Sequence, residues 1–153
     1  MPLGAARRLL GVDADLAYRE AFRLYRAAST AAPYYDNSVL RRARQAEAEI
    51  ALARVEQADE GARASRAANL LGVLALNSPA PIAVGQPDPV DRALDEFRNA
   101  IRLDPGNQDA KFNLELLLHE IEARGQRSGE SAGESGRAAG RRGAGASLPG
   151  QGY

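Results

Sequence analysis

The sequence contains a single histidine, His119, with two glutamates at helical spacing from it. Glu115 precedes it by four residues and Glu122 follows it by three, so a helix would place all three side chains on one face. An imidazole between carboxylates can bind a metal ion or transfer protons, but a metal site needs third and fourth ligands that the sequence does not offer. We therefore predict no metal and no catalytic role, and interpret His119 as a surface residue.

Other reactive groupings are also missing from the sequence. The chain has no cysteine, and we find no glycine-rich phosphate loop, no Ser-His-Asp set and no carboxylate pair in a recognisable frame. Much of the apolar content is alanine, with no tryptophan and few aromatic residues, which favours closely packed helices over a deep ligand cavity. The sequence thus predicts a protein that is not an enzyme and that has no cofactor and no small-molecule substrate.

The charges balance, with 20 Lys and Arg residues against 20 Asp and Glu residues. A chain without net charge needs a segregated basic patch to collect nucleic acid, and Arg41, Arg42 and Arg44 are followed in the same helix by Glu47 and Glu49. We predict no nucleic-acid partner, while contact of these arginines with phosphate remains an alternative. The longest apolar run, Leu70 to Leu76, is far shorter than the ~20 residues of a membrane span.

Periodicity, caps and breaks predict five helices. They run from Asp13 to about Ala32, from Ser38 to a break at Gly61, from there to before Pro79, from Pro89 to about Leu103, and from Asn107 to about Arg124. Residues 1–12 form a lead segment, 13–124 an all-α domain, and 125–153 a Gly/Ser/Arg-rich tail with too little to bury for an ordered fold. No secretory signal is evident at the start of the chain.

Apolar residues at helical spacing indicate which side of each helix is buried. The second helix carries a 4-3-4-3 stripe, and we expect this stripe to face a neighbouring helix; it comprises Val39, Ala43, Ala46, Ile50 and Ala53. On the first helix the corresponding residues are Leu16, Phe22, Tyr25 and Ala28. On the fourth helix Phe97 and Ala100 point inward, and Arg92 and Glu96 form an exposed pair at i,i+4 spacing.

The fourth and fifth helices, with the sharp corner "LDPGN" between them, resemble a tetratricopeptide repeat. The small, aromatic, small and proline positions of the family's second helix and its exit are occupied by Ala93, Phe97, Ala100 and Pro105. Ala67, Leu71 and Gly72 resemble the first helix of the same repeat, with a proline-rich insertion following it. Asn113 and Leu114 resemble the next repeat, so the resemblance implies a right-handed stack of antiparallel helix pairs.

This resemblance implies a binding groove lined by the first helices of successive pairs. Its predicted lining on the third and fifth helices comprises Arg66, Asn69, Val73, Asn77, Asp109, Lys111, Phe112, Asn113, Leu116 and His119. Amide side chains such as Asn69 and Asn113 can pair with an extended peptide backbone, while Arg66 and Lys111 can hold a carboxylate. The alternative for Asn113 is a structural hydrogen bond to a neighbouring helix.

The corner followed by a polar tail also resembles small bacterial repeat proteins associated with MoxR-type ATPases and von Willebrand factor A-domain envelope proteins. The resemblance implies an adaptor or assembly subunit that binds a peptide or helix of a partner protein, in the cytoplasm or peripheral to the bacterial membrane. Contact with the membrane would then be indirect, through a partner or an anchor missing from this chain. The alternative function is a structural helical protein that self-associates into a homo-oligomer.

Overall fold

The protein is all-helical in the part of the chain that the structure describes. The computed structural model describes residues 11–30, 38–78 and 87–139, with side chains at 11–30, 39–78 and 87–126. Five helices occupy these ranges: α1 (Val12–Ser29), α2 (Ser38–Ala58), α3 (Ala62–Leu76), α4 (Pro89–Leu103) and α5 (Gln108–Ala139). The described residues contain no strand, which confirms the predicted all-α class.

The ends of α4 and the start of α5 follow from local sequence. The Asp88 carboxylate accepts a hydrogen bond from the Val90 amide at 2.7 Å, and Pro89 occupies the first turn of α4, where its missing N–H costs nothing. At the other side of the corner, Asn107 Oδ1 accepts a bond from the Ala110 amide at 3.1 Å. Both predicted caps are therefore confirmed.

Helix α5 extends beyond its predicted end. The sequence predicted a stop at about Arg124, but the structure continues the helix through Gly125 to Ala139, so the predicted tail 125–153 overlaps it. Residues 140–153 lie outside the described residues, as do 1–10, 31–37, and 79–86, which hold most of the proline-rich loop. The chain divides into two units, residues 1–115 and 116–153, and α5 runs from the first into the second.

Within the first unit, helices that follow one another in sequence pack together. Helix α1 packs on α2, α2 on α3, and α3 on α4, while α1 also touches α3. Ala21 of α1, Leu52 of α2 and Leu71 of α3 share one hydrophobic cluster. The many alanines of this cluster allow the helix backbones to approach closely, which keeps the core small.

The predicted buried stripe of α2 was wrong for four of its five residues, and its fifth member, Ala53, is half-buried against the core. Val39 is 74% exposed and Ile50 is 55% exposed, and Ala43 and Ala46 are exposed as well. The buried face instead comprises Gln45, Ala48, Leu52 and Val55. These residues repeat at intervals of three, four and three, so periodicity permitted both stripes. Leu52 and Val55 are no larger than Ile50 and Val39, and the packing of α1 and α3 on α2 decides which stripe is buried.

The contact between α3 and α4 depends on a glycine. Phe97 of α4 is fully buried, and its ring lies against the backbone of α3 at Gly72. A Cβ atom added at Gly72 would lie 2.5 Å from Phe97 Cε1. Helices α3 and α4 can therefore pack this closely only because Gly72 has no side chain.

A buried polar network joins the corner to the rest of the first unit. The Ser65 hydroxyl of α3 donates to the Ala100 carbonyl of α4 at 2.7 Å, and it accepts a bond from Asn107 Nδ2 at 2.8 Å. Beside this network, Ala68 and Ala100 pack against Ala110. One serine thus connects α3, the end of α4 and the start of α5. Among the described residues, every buried side-chain nitrogen or oxygen atom has a hydrogen-bond partner.

Among the described residues, no helix combines the length and the apolar character that crossing a membrane requires.

We expect Gly72→Ala to lower the free energy of unfolding by about 1–3 kcal/mol, because the added methyl group overpacks the Phe97 contact. Urea denaturation followed by circular dichroism measures this change. Gly125→Ala is the matched control, since that helical glycine has no atom within 4 Å of its would-be Cβ and its replacement should not lower stability. Equal effects of the two substitutions would contradict the packing argument.

Candidate partner-binding face

Three aromatic side chains form a ladder along α1. The Tyr18 and Phe22 ring centroids are 6.3 Å apart with an interplanar angle of 17°, and those of Phe22 and Tyr25 are 6.2 Å apart at 20°. Tyr18 and Tyr25 are half-buried against the core, whereas Phe22 is 39% exposed. The ladder therefore presents stacked aromatic surface to solvent on a helix that the core holds in place.

The first turns of α3 lie beside this ladder. Arg63 Nη1 is 2.8 Å from Asp15 Oδ1, which joins the start of α3 to the start of α1. Half-burial raises the pKa of the Tyr18 hydroxyl, and the nearby positive charge of Arg66 opposes that rise. Arg66 itself is exposed. A guanidinium thus lies next to the aromatic ladder and is accessible to a ligand.

Asn69 and Asn113, two of the predicted groove residues, bind each other. Asn113 Nδ2 donates to Asn69 Oδ1 at 2.9 Å, and Asn69 is only 7% exposed. The alternative for Asn113, a structural hydrogen bond to a neighbouring helix, is therefore the one found in the structure. This amide pair joins α5 to α3. Separating the two amides would be costly, because a buried amide without a partner carries the full desolvation cost of its polar atoms.

The other predicted residues of the first unit lie near solvent. Phe112 is 64% exposed, while Asp109 and Lys111 are exposed on the same turns of α5. Val73 is half-buried, and the exposed Asn77 donates from Nδ2 to the Val73 carbonyl at 2.9 Å within its own helix. Leu116 and His119 belong to the second unit, where both are exposed.

We use the name α1–α3–α5 face for a set of exposed and half-buried side chains on these three helices. It comprises Tyr18, Phe22, Tyr25, Arg66, Val73 and Phe112. The sequence analysis chose its α3 and α5 members but missed the role of α1. We had assigned Leu16 and Phe22 to the inner side of that helix, yet they are 49% and 39% exposed. The spacing of Tyr18, Phe22 and Tyr25, at i, i+4 and i+7, was the signal for the ladder.

The first unit has a groove between α1 and α2. Its volume is about 290 Å³, and it is lined by Ala14, Ala17, Glu20, Ala51, Arg54, Val55, Ala58 and Asp59. Its floor is apolar and its rim carries both signs of charge. The described residues contain no group of His, Cys, Asp and Glu side chains that could hold a metal ion.

Two glutamates, Glu56 of α2 and Glu96 of α4, form an unusual acidic pair. Asn99 donates a hydrogen bond from its amide to Glu56. Burial raises the pKa of Glu96 to about 7, and the negative charge of Glu56 adds to this rise, while Arg92 opposes it. The predicted exposed Arg92 and Glu96 pair is corrected: Glu96 is half-buried, and Arg92 Nη2 lies 3.7 Å from Glu49 Oε2.

Comparison of the sequence with protein-family models, with curated proteins and with solved structures finds no match. The tetratricopeptide resemblance therefore stays a prediction.

The Glu96 pKa predicts a pH-dependent stability. Because the folded state holds the carboxyl pKa above its unfolded value of 4.5, the stabilisation from this group is complete below pH 4.5 and is lost as pH rises through about 7. At pH 8 we expect Glu96→Gln to be more stable than the native chain, by about 1 kcal/mol after allowing for solvent screening. Near pH 4.5 the two should converge. Glu122→Gln, an exposed control, should behave as the native chain at both pH values in urea denaturation.

The amide pair predicts a coupled loss. Asn69→Ala or Asn113→Ala alone should each lower the free energy of unfolding by about 1–3 kcal/mol, because each leaves the other amide without its partner. The double variant should cost less than the sum of the single variants. A double-mutant cycle by urea denaturation measures the coupling energy, and additive losses would show that the two amides act independently.

Proposed function

We propose that this protein is an interaction scaffold that binds a segment of a partner protein on the α1–α3–α5 face. The observation that carries the proposal is the exposed aromatic ladder of α1 with the Arg66 guanidinium beside it. Aromatic and arginine side chains are the residue types that most often supply binding energy at protein interfaces. Helices held by a packed core present them with little loss of conformational entropy on binding.

The charges around this face favour an acidic segment. Arg19 and Arg26 directly follow Tyr18 and Tyr25 in α1, and both are exposed. Lys111 adds a further positive charge next to Phe112, against two negative charges, at Asp109 and Glu115. A peptide or helix with Asp or Glu residues between apolar side chains would match this pattern, since guanidinium groups bind carboxylates in bidentate geometry.

The packing order supports a tetratricopeptide-like arrangement within this proposal. Each helix of the first unit packs on its sequence neighbour, and the first and third helices also touch, as expected when successive first helices line one side of a repeat stack. The Asn69 and Asn113 pair then serves as a brace under the face rather than as a ligand-binding group. We extend the proposal to an adaptor in a bacterial envelope complex, on the resemblance of the corner and tail alone.

The proposal is tested by matched double variants. Phe22→Ala with Arg66→Glu removes one aromatic anchor and reverses one charge on the face, whereas Leu16→Ala with Arg98→Glu makes equivalent changes at exposed positions of α1 and α4. We expect the first variant to bind a captured partner at least tenfold more weakly, because two exposed anchors contribute about 1–2 kcal/mol together, and the control to bind normally.

The partner is captured with a photo-crosslinking residue in place of Phe112, incubated with membrane and soluble fractions of the native cells. Mass spectrometry identifies the crosslinked segment, a synthetic peptide of that segment is then titrated against both variants, and circular dichroism verifies their folding. Equal binding by the two variants, or a crosslinked segment without acidic residues, would refute the proposed face.

A further inference from the structure

The packing of the first unit leaves one side of α2, with several apolar residues, uncovered. Helix α2 buries Gln45, Ala48, Leu52 and Val55, and its opposite side carries Val39, Ala43, Ala46 and Ile50, which we call the outer stripe. Two branched side chains, Val39 and Ile50, are 74% and 55% exposed there. Exposing branched apolar side chains in a row is costly, so the stripe calls for a covering surface.

The spacing of the outer stripe fits a helix of the same kind. Its members follow one another at intervals of four, three and four, the repeat of a coiled-coil seam, and the 21 residues of α2 provide three heptads. In this register Ala43 and Ile50 occupy a positions, and Val39 and Ala46 occupy d positions.

The charged residues on either side of the stripe match a second copy of α2. Arg42 and Glu49 flank one side of the seam, and Glu47 and Arg54 flank the other. In a parallel pair each flanking residue meets the residue five positions later on the partner helix. Arg42 would then face Glu47 of the second copy, and Glu49 would face Arg54, and two-fold symmetry makes each pair twice.

An antiparallel pair satisfies fewer of these charges. The antiparallel register that keeps every layer apolar places Val39 against Ile50 of the second copy. Arg42 then meets Glu49, but Glu47 and Arg54 meet no opposite charge. Four pairs against two favour the parallel orientation, with exposed pairs contributing a few tenths of a kcal/mol each.

We propose that two copies of this chain associate in parallel through the outer stripe of α2. This inference is independent of the proposed peptide binding, because the stripe shares no residue with the α1–α3–α5 face. The pairing would be weak. Ala43 and Ala46 bury little apolar area, and the Glu49 carboxylate is already 3.7 Å from Arg92 within its own chain.

Sedimentation equilibrium of the purified full chain tests the association. The weight-average mass should rise above 16.3 kDa toward twice that value between about 10 µM and 1 mM, the range expected for a short seam with few large side chains. Ile50→Glu should abolish the rise, since it places a charge in the seam. Leu16→Glu introduces the same charge at an exposed position of α1 and should leave the rise intact. A constant mass for the native chain, or equal behaviour of the two variants, would overturn the proposal.

Cysteine crosslinking tests the orientation, and the native chain contributes no cysteine of its own. Val39→Cys and Gln57→Cys place one thiol near each end of α2. In a parallel pair each variant meets its own thiol across the seam and should form a disulfide-linked dimer. In the antiparallel pair the two copies of residue 39 would be about 16 Å apart along the axis, too far for a disulfide.

Ala27→Cys, at an exposed position of α1, is the control and should remain reduced under the same mild oxidation. Crosslinking of Val39→Cys only when mixed with Ile50→Cys would show antiparallel pairing and overturn the proposal as stated. A native chain that stays monomeric at every concentration would also refute self-association, and a different protein would then be the candidate to cover the stripe.

Discussion

The close approach of Phe97 to Gly72 is the constraint on which the first unit depends. The fully buried ring fixes the distance between α3 and α4, and no side chain larger than hydrogen fits at position 72 without displacing it. With that distance set, the Ser65 hydroxyl reaches the Ala100 carbonyl and also meets Asn107 at the corner. The aromatic contact thus sets the distance between α3 and α4, and the hydrogen bonds of Ser65 then fix the start of α5 relative to both.

The polar residues of α3 serve the structure on one side and face solvent on the other. Ser65 and Asn69 are buried and bind α4 and α5, whereas Arg66 is exposed beside the aromatic ladder. Neighbouring positions on a helix differ by about 100° in direction, so adjacent residues can belong to different surfaces. The same helix can therefore hold the first unit together and contribute a cation to the proposed partner-binding face.

Helix α2 shows the limit of periodicity as a guide to burial. Both the buried face through Leu52 and the exposed stripe through Val39 and Ile50 have helical spacing. A helix flanked by neighbours on one side buries only one of two apolar stripes, and in α2 the packing against α1 and α3 selects the stripe that contains Leu52. The stripe that lost this competition is the surface for which we propose a second copy. Similarly, burial against α2 gives Glu96 a raised pKa that its sequence neighbours did not indicate.

The sequence by itself determined the helical class, the five segments, and the Asp88 and Asn107 caps, because these depend on residues a few positions apart. It also indicated Phe97 as a core position. Only the tertiary structure decided which stripe of α2 is buried, that Asn69 and Asn113 bind each other, and that Arg66 lies beside Tyr18. Each of these three features involves residues on different helices. Such pairing depends on the distances and rotations between helices, which local spacing along one chain does not encode.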